Sequence, residues 1–348
     1  MIPGDIAAAL GVRASGTWRP APAGVGGAPG TYATSLAFRL ADASGRAPGE
    51  VAAGLAAALE PVPWISAASI TRGGYLTVTV TLEALAGLAV RVPAAGAACA
   101  DSDALHGTEL NAPAAADPAS AASWDEARRR LAAEITGRLA AAAGAKVKVK
   151  DYSERWCHCG LPALAGAVAF AGPGAVRYAL ARTQPGRQAA IDAAACARND
   201  LGNPFFAVRY AHAHAASVLR WAADLGLDRG LPETFRPDLL CHPGERELLG
   251  VLSWLPERAA AAARRRRPDA FARYLEGLAA AWLGCWERCP ALPFGGRSAP
   301  TDGPQAAARL WLAAAAQTAL RTGIGLLGVA APERLHAAGS GGLYESPG

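Results

Sequence analysis

Lysine is almost missing from this chain of 348 residues. Lys146, Lys148 and Lys150 are the only ones, so nearly all of its 34 basic residues are arginine. That scarcity argues against any mechanism built on an isolated catalytic lysine. The N-terminus lacks a basic stretch followed by an apolar core, so no signal peptide is expected. The longest run without a charge lies between Arg155 and Arg177 and contains Pro162, Pro173, His158 and many Gly and Ala. It is too poor in leucine-class residues to drive insertion into a bilayer, so no membrane partner is expected. The seven cysteines are odd in number and scattered through a chain too large to need disulfide staples. A reduced, cytoplasmic protein is the expectation.

What is present narrows the class further. A hydrophobic content of 52% is too high for a disordered chain. Alanine, leucine and arginine dominate, and all three favour helix. The length suits two domains rather than one. The net charge of +5 and pI near 8.9 are compatible with a nucleic-acid partner but do not require one. On charge alone, arginine-rich coding in a GC-rich genome is the favoured account of them.

Along the chain, residues 2–11 read as a short helix and 14–30 as a Gly/Pro loop. Thr31 to Ala43 reads as a second helix with Leu36, Leu40 and Ala43 on one face, ended by Gly45. Pro48 opens a third, with Val51, Leu55 and Leu59 as its buried stripe. Trp64–Thr71 and Tyr75–Leu82 read as strands around a Gly73-Gly74 turn, since Leu76, Val78 and Val80 alternate with threonines. Val92 to Ser123 has linker composition. Trp124 to Ala143 is a charged helix carrying Arg128-Arg129-Arg130, and Lys146–Lys150 alternates like an edge strand. From Gly174 the pattern is helical, with breaks near Pro185, Gly202–Pro204, Gly226–Pro243, Arg267-Pro268 and Pro290–Pro304, as in a bundle.

Two stretches go beyond composition. Gly172-Pro-Gly-Ala-Val-Arg-Tyr-Ala-Leu-Ala-Arg182 and Asn203-Pro-Phe-Phe-Ala-Val-Arg-Tyr-Ala-His-Ala-His214 resemble the entrance to the C-terminal helical anticodon-binding domain (the DALR type) of arginyl-tRNA synthetases. Glu245–Pro256 is similar to that domain's E-x-x-L-L-x-x-L-x-x-x-P helix. Leu326-Leu-Gly-Val-Ala-Ala-Pro-Glu-Arg-Leu335 is similar to the enzyme's C-terminus. Thr31–Leu40, Pro48–Leu59 and Gly74–Thr77 resemble its small N-terminal domain. The resemblance covers about residues 1–90 and 170–338, in matching order. It implies a mostly helical α+β protein: a small N-terminal α/β domain (1–91), a linker and short remnant connector (92–170), a C-terminal helical bundle of the class I synthetase anticodon-binding type (171–338), and a flexible tail (339–348).

Only about eighty residues separate the two ends, too few for the parallel sheet that binds ATP in such enzymes. No histidine stands in an H-x-G-H pattern, and no K-M-S-K-S-like loop is present to neutralise the pyrophosphate leaving group. The expectation is therefore no enzyme, no catalytic residue, no cofactor and no metal, but a non-catalytic tRNA-binding protein, with arginine tRNA as the partner the resemblance implies.

The helix opened by Asn203-Pro204 carries a core stripe of Val208, Ala211, Ala215, Val218, Ala222 and Leu225. Another side carries Asn203, Tyr210, His214, Ser217 and Trp221, flanked by Arg209 and Arg220. Splayed anticodon bases are held by ring and guanidinium stacking with phosphate contacts, which is what such a face offers. The alternative is ordinary packing between helices. The candidate RNA contacts are Asn203, Arg209, Tyr210, His214, Arg220 and Trp221. To these the basic run adds Arg264 and Arg265, which a solvated helix end explains equally well. The resemblance adds Tyr75, whose family partner two residues on is an Asn; Thr77 stands there instead and lacks the paired amide contacts. His214 stands where the family has an arginine, replacing a fixed cation by a group mostly neutral at pH 7. Arg177 and Arg182 read as structural.

Two other functions fit the sequence. The helical bundle could pair with a protein partner, such as a tRNA-modifying or metabolic enzyme. Alternatively, residues 92–170 could act on aminoacyl-tRNA through His106, Cys157 and His158. Cys157-His158-Cys159, with Cys241-His242 and Cys285/Cys289, is too irregular for structural zinc.

Overall fold

A computed structural model describes residues 2–12, 18–20, 28–71, 73–113, 118–150, 161–187, 189, 191–293 and 303–335. The Cys157–Cys159 cluster lies outside these residues.

The N-terminal part has a helix, α1 (Ile2–Ala9), and a four-stranded antiparallel sheet. Its strands are β1 (Trp18–Pro20), β2 (Thr31–Thr34), β3 (Ile65–Ile70) and β4 (Leu76–Val80), in spatial order β1-β2-β4-β3. Helices α2 (Leu36–Ser44) and α3 (Pro48–Leu59) lie between β2 and β3 in sequence. The turn between β3 and β4 has positive φ at both Gly73 and Gly74, as a tight hairpin requires. Tyr32 pairs with Val78 across β2 and β4, and both side chains belong to the main core.

The helix expected over Thr31–Ala43 starts only at Leu36. Thr31–Thr34 is a strand because β4 supplies its hydrogen-bonding partner, and Thr34 Oγ1 accepts the Leu36 N–H at the start of the helix. Ala37 and Ala41 are buried with Leu36, whereas Ala43 is exposed. Within the presumed 14–30 loop, β1 pairs with β2.

The linker reading of Val92–Ser123 is also corrected. The chain from Leu82 forms α4 (Leu82–Ala86), α5 (Leu88–Ala95), a 3-10 turn at Gly96–Ala100 and β5 (Glu109–Pro113). Leu88, Ala89, Val92, Cys99 and Ala100 are buried, and α5 packs along the last helix, α14 (Gly303–Leu326). The stretch Leu82–Ala100 is long and apolar enough to cross a membrane by length and composition, but here it is broken and partly buried in this packing. Helix α6 (Trp124–Ala142) follows, capped by Ser123, whose side chain accepts the Glu126 N–H. Then β6 (Lys146–Lys150) pairs parallel with β5, with all three lysines exposed. Gly137 sits mid-helix in α6 where β5 crosses; a Cβ there would overlap that of Ala112, so only glycine permits this approach.

The rest is helical: α7 (Pro162–Ala171), α8 (Pro173–Arg182), α9 (Ala193–Cys196), α10 (Pro204–Asp224), α11 (Pro243–Leu252), α12 (Leu255–Arg265), α13 (Pro268–Arg288) and α14. Most begin with proline in the first turn, where its missing N–H costs nothing. The helix expected over Glu245–Pro256 is two, because Pro256 restarts the chain as the first turn of α12. Helix α10 packs against α13 and α14. The sheet docks on this bundle directly: Tyr32 and Trp254 have ring centroids 5.3 Å apart. Helical structure thus predominates beside a small N-terminal α/β part, as expected.

Candidate nucleic-acid interface

The most readable part of the sequence builds α10. Asn203 has extended backbone, and its Oδ1 accepts the Phe205 N–H at 3.1 Å, capping the helix. Its Nδ2 donates to the carbonyls of Cys196 (2.9 Å) and Arg198 (2.7 Å), tying the α9 turn to the helix start. Asn203 is buried, so its amide is committed to the scaffold beside a cleft of about 300 Å³ that Arg182, Arg198 and Asp200 also line.

Val208, Ala211, Ala215, Val218 and Ala222 are buried as the spacing predicts. Leu225 is not: it follows the end of α10 and is 57% exposed. The opposing side is less open than the sequence suggests. Phe206, Tyr210 and His214 stand at successive four-residue steps, with centroids 5.7 and 5.9 Å apart. From His214 the rings continue onto α13: Trp286 is 5.2 Å away, edge-on, and Trp282 is 5.8 Å away. Tyr210 and His214 are half-buried in the seam between α10 and α13. Burial pushes the His214 imidazole below its ordinary pKa, and its Nδ1 has no hydrogen-bond partner. A neutral ring in an aromatic ladder does not act as a phosphate-binding cation.

Of the remaining candidates on α10, Arg209 and Arg220 are half-buried like Tyr210, and Trp221 is exposed. The Arg209 guanidinium lies 5.0 Å from the Phe205 ring centre, a cation–π contact. Arg220 donates to Ser217 Oγ (2.7 Å) and to the Glu333 carbonyl (3.3 Å). Trp221 is 51% exposed, about 16 Å along the helix from Tyr210 and almost in line with it. Trp221 thus continues the line of the half-buried ladder, and Arg209 and Arg220 lie on the adjacent side of α10, about 100° round the helix.

The other candidates lie elsewhere. Tyr75, 48% exposed, packs on Phe38 at 4.9 Å beside the hairpin turn. Thr77 is buried within β4, so it does not present its hydroxyl beside Tyr75. Arg264 and Arg265 end α12 and are exposed, in the last turn where cations suit the helix dipole. Arg267 instead makes a two-pronged contact with buried Asp269 at 2.7 and 2.8 Å.

Arg177 and Arg182 are structural in their contacts. Arg177 is buried, donates to the Leu327 carbonyl at 3.0 Å and pairs with buried Glu134 of α6. Gly328 lies against it: a Cβ there would come within 2.7 Å of Arg177 Nε. Arg182 pairs with Glu276 at 2.7 Å. Cys285 and Cys289 are buried, and burial raises both thiols. Among the described residues no three His, Cys, Asp or Glu side chains come together as a metal would need. His106 is exposed, in the turn before β5. Sequence reasoning missed Phe206, Trp282 and Trp286, although the steps 206/210/214 and 282/286 were a readable signal of one ring stripe meeting another.

Comparison with known proteins identifies the class of module at each end. Residues 208–335 match the family model of the DALR anticodon binding domain, and residues 27–80 match that of the arginyl tRNA synthetase N terminal domain. The chain is arginyl-tRNA synthetase-like in both regions. It is 43% identical over 164 residues to an arginine–tRNA ligase of Frankia alni and 40% identical over 164 residues to one of Clavibacter sepedonicus. Each match covers 47% of this chain but only 29% and 28% of those relatives, so the matched stretch spans less than a third of their length. The fold is similar to that of Thermus thermophilus arginyl-tRNA synthetase, with a TM-score of 0.66 over 95% of this chain and 98% of that one, at 15% identity.

Proposed function

We propose that this chain is a non-catalytic, cytoplasmic tRNA-binding protein that holds the anticodon arm of an arginine tRNA. The observation that supports the reading is the pairing of a DALR anticodon-binding region with a synthetase-type N-terminal region, in that order, on one chain. The stretch between them bears no H-x-G-H and no K-M-S-K-S-like sequence, so the chemistry of ATP activation has no visible carrier. The accessible groups on α10 suit stacking and phosphate contact rather than reaction.

The test is filter binding of purified tRNA at low salt, with aminoacylation assayed in parallel. Arginine tRNA binds in a salt-dependent manner and preferentially, Arg209→Ala and Trp221→Ala weaken it, and no arginyl-tRNA forms from ATP and arginine. Absence of tRNA binding at low salt refutes the reading, and turnover of ATP into arginyl-tRNA refutes its non-catalytic part.

A further inference from the structure

A cleft of about 920 Å³ lies away from α10. It is walled by α6, the end of α12, the C-terminal part of α8 and the leading edge of β5. Its floor is aliphatic, with Leu110, Ala133, Leu180 and Ala263 among the side chains there. Four arginines line it from two places far apart in sequence: Arg128 and Arg129 of α6, and Arg264 and Arg266 at the end of α12.

The carboxylates at the cleft are already neutralised. Glu109 pairs with Lys148 at 2.9 Å. Asp269 is held by both Arg267 and Arg273; burial would raise its pKa, but these two partners win and hold it below the usual carboxylate value. Arg128 approaches Asp125 only at 3.6 Å, and Arg129 Nε donates to the Asp125 carbonyl. For Arg264 and Arg266 no ion pair is seen among the described residues. The cleft therefore carries uncancelled positive charge. Beside it, β6 extends the same sign outward through Lys146 and Lys150, two of the three lysines in the chain.

Arg266 adds a second observation. It is the only residue other than glycine with positive φ among the described residues, at 52°, where it closes α12 through its N–H to the Ala263 carbonyl. That left-handed position suits glycine, so an arginine there keeps its charge at a conformational cost.

We infer that this cleft is a phosphate-binding site that takes the sugar–phosphate backbone of the bound RNA, a second contact surface separate from the α10 side. The inference rests on the tRNA reading above. Guanidinium groups converging from two walls suit successive phosphates of one strand, and an aliphatic floor tolerates any ribose or base edge without reading its sequence.

The test compares wild type, Arg129→Gln/Arg264→Gln, and the charge-matched control Arg236→Gln/Arg288→Gln, each titrated with tRNA across a salt series. The cleft variant binds at least roughly fivefold more weakly than the control, and its slope of log K against log salt is shallower by about 2, one per lost phosphate contact. The loss is equal for cognate and non-cognate tRNA. Arginine modification by phenylglyoxal, mapped by mass spectrometry on the wild type, gives a readout independent of folding: tRNA protects Arg129 and Arg264. A cleft variant that matches the control while wild type binds tRNA overturns this inference alone. Failure of wild type to bind tRNA at low salt overturns both readings. Protection by tripolyphosphate but not by tRNA also overturns it, because the cleft would then take free phosphate.

Discussion

Replacing Arg177 by methionine tests whether this arginine is scaffold or RNA contact. The side chain is buried between α6 and α8, where it pairs with Glu134 and caps the Leu327 carbonyl after α14. Breaking a buried pair by removing one partner costs about 3–5 kcal/mol, because the other charge stays in a low-dielectric site. Glu134 keeps Arg138 at 2.9 Å, a side chain 42% exposed and screened by water, which offsets part of that cost. The Leu327 carbonyl loses its donor as well, which adds about 1 kcal/mol. With the first term at the low end of its range, the expected total is about 4 kcal/mol. Urea unfolding followed by circular dichroism measures it. The double variant Glu134→Leu/Arg177→Met removes both charges, so it costs less than Arg177→Met alone although it changes more atoms. Below the unfolding transition, tRNA affinity of Arg177→Met stays within twofold of wild type. A single-variant cost under about 1 kcal/mol, or a large loss of tRNA affinity at unchanged stability, refutes the reasoning.

Three further outcomes follow from the packing. Gly137→Ala removes a mid-helix glycine yet destabilises by about 1–3 kcal/mol, because its Cβ would overlap Ala112; thermal melts that rise instead of falling contradict this. Arg266→Gly relieves a left-handed backbone and stabilises the fold by about 0.5–1 kcal/mol, net of the entropy that glycine adds to the unfolded chain, while tRNA binding weakens. Burial depresses the pKa of both His212 and His214, so the unfolded chain takes up protons at these rings first. Their contribution is complete above the ordinary value near 6.5 and is lost as pH falls below it. Stability measured from pH 7 to 5.5 therefore declines less steeply in His214→Phe than in wild type, and an unchanged slope counts against a buried neutral ring.

What could be read from the sequence was what is local. The Asn203 cap, Pro204 in the first turn and the stripe from Val208 to Ala222 need no information beyond one helix, and they stand as expected. Thr31–Thr34 was misread because its partner, β4, comes some forty-five residues later, and only that pairing distinguishes a strand from a helix start. The segment from Val92 had the small-residue composition of a linker. What buries it is α14, more than two hundred residues further on, and small side chains are what let α5 approach. His214 was legible as a non-cation, but its burial depended on Trp282 and Trp286 of another helix.

The same distinction separates the two proposed RNA surfaces. Rings and cations on α10 share one helix, so a sequence pattern suffices to find them, and the structure adds that two of the rings are half sunk in the α10–α13 seam. That leaves Trp221 and Arg209 with much of any stacking role on α10, and it makes α10 alone a small platform for a molecule the size of tRNA. The cleft supplies what α10 lacks. Arg128 and Arg264 are remote in sequence and become neighbours only because α6, from the segment between the two family-matched regions, packs against α12. Read this way, residues 92–150 are not a spacer left between two RNA-binding ends. From the described part of this segment, β5 and α6 line the proposed site opposite the end of α12, and β6, with the chain's three lysines, pairs with β5. An α10 surface that stacks and a cleft that neutralises phosphate would divide recognition from affinity, as proteins that grip folded RNA do.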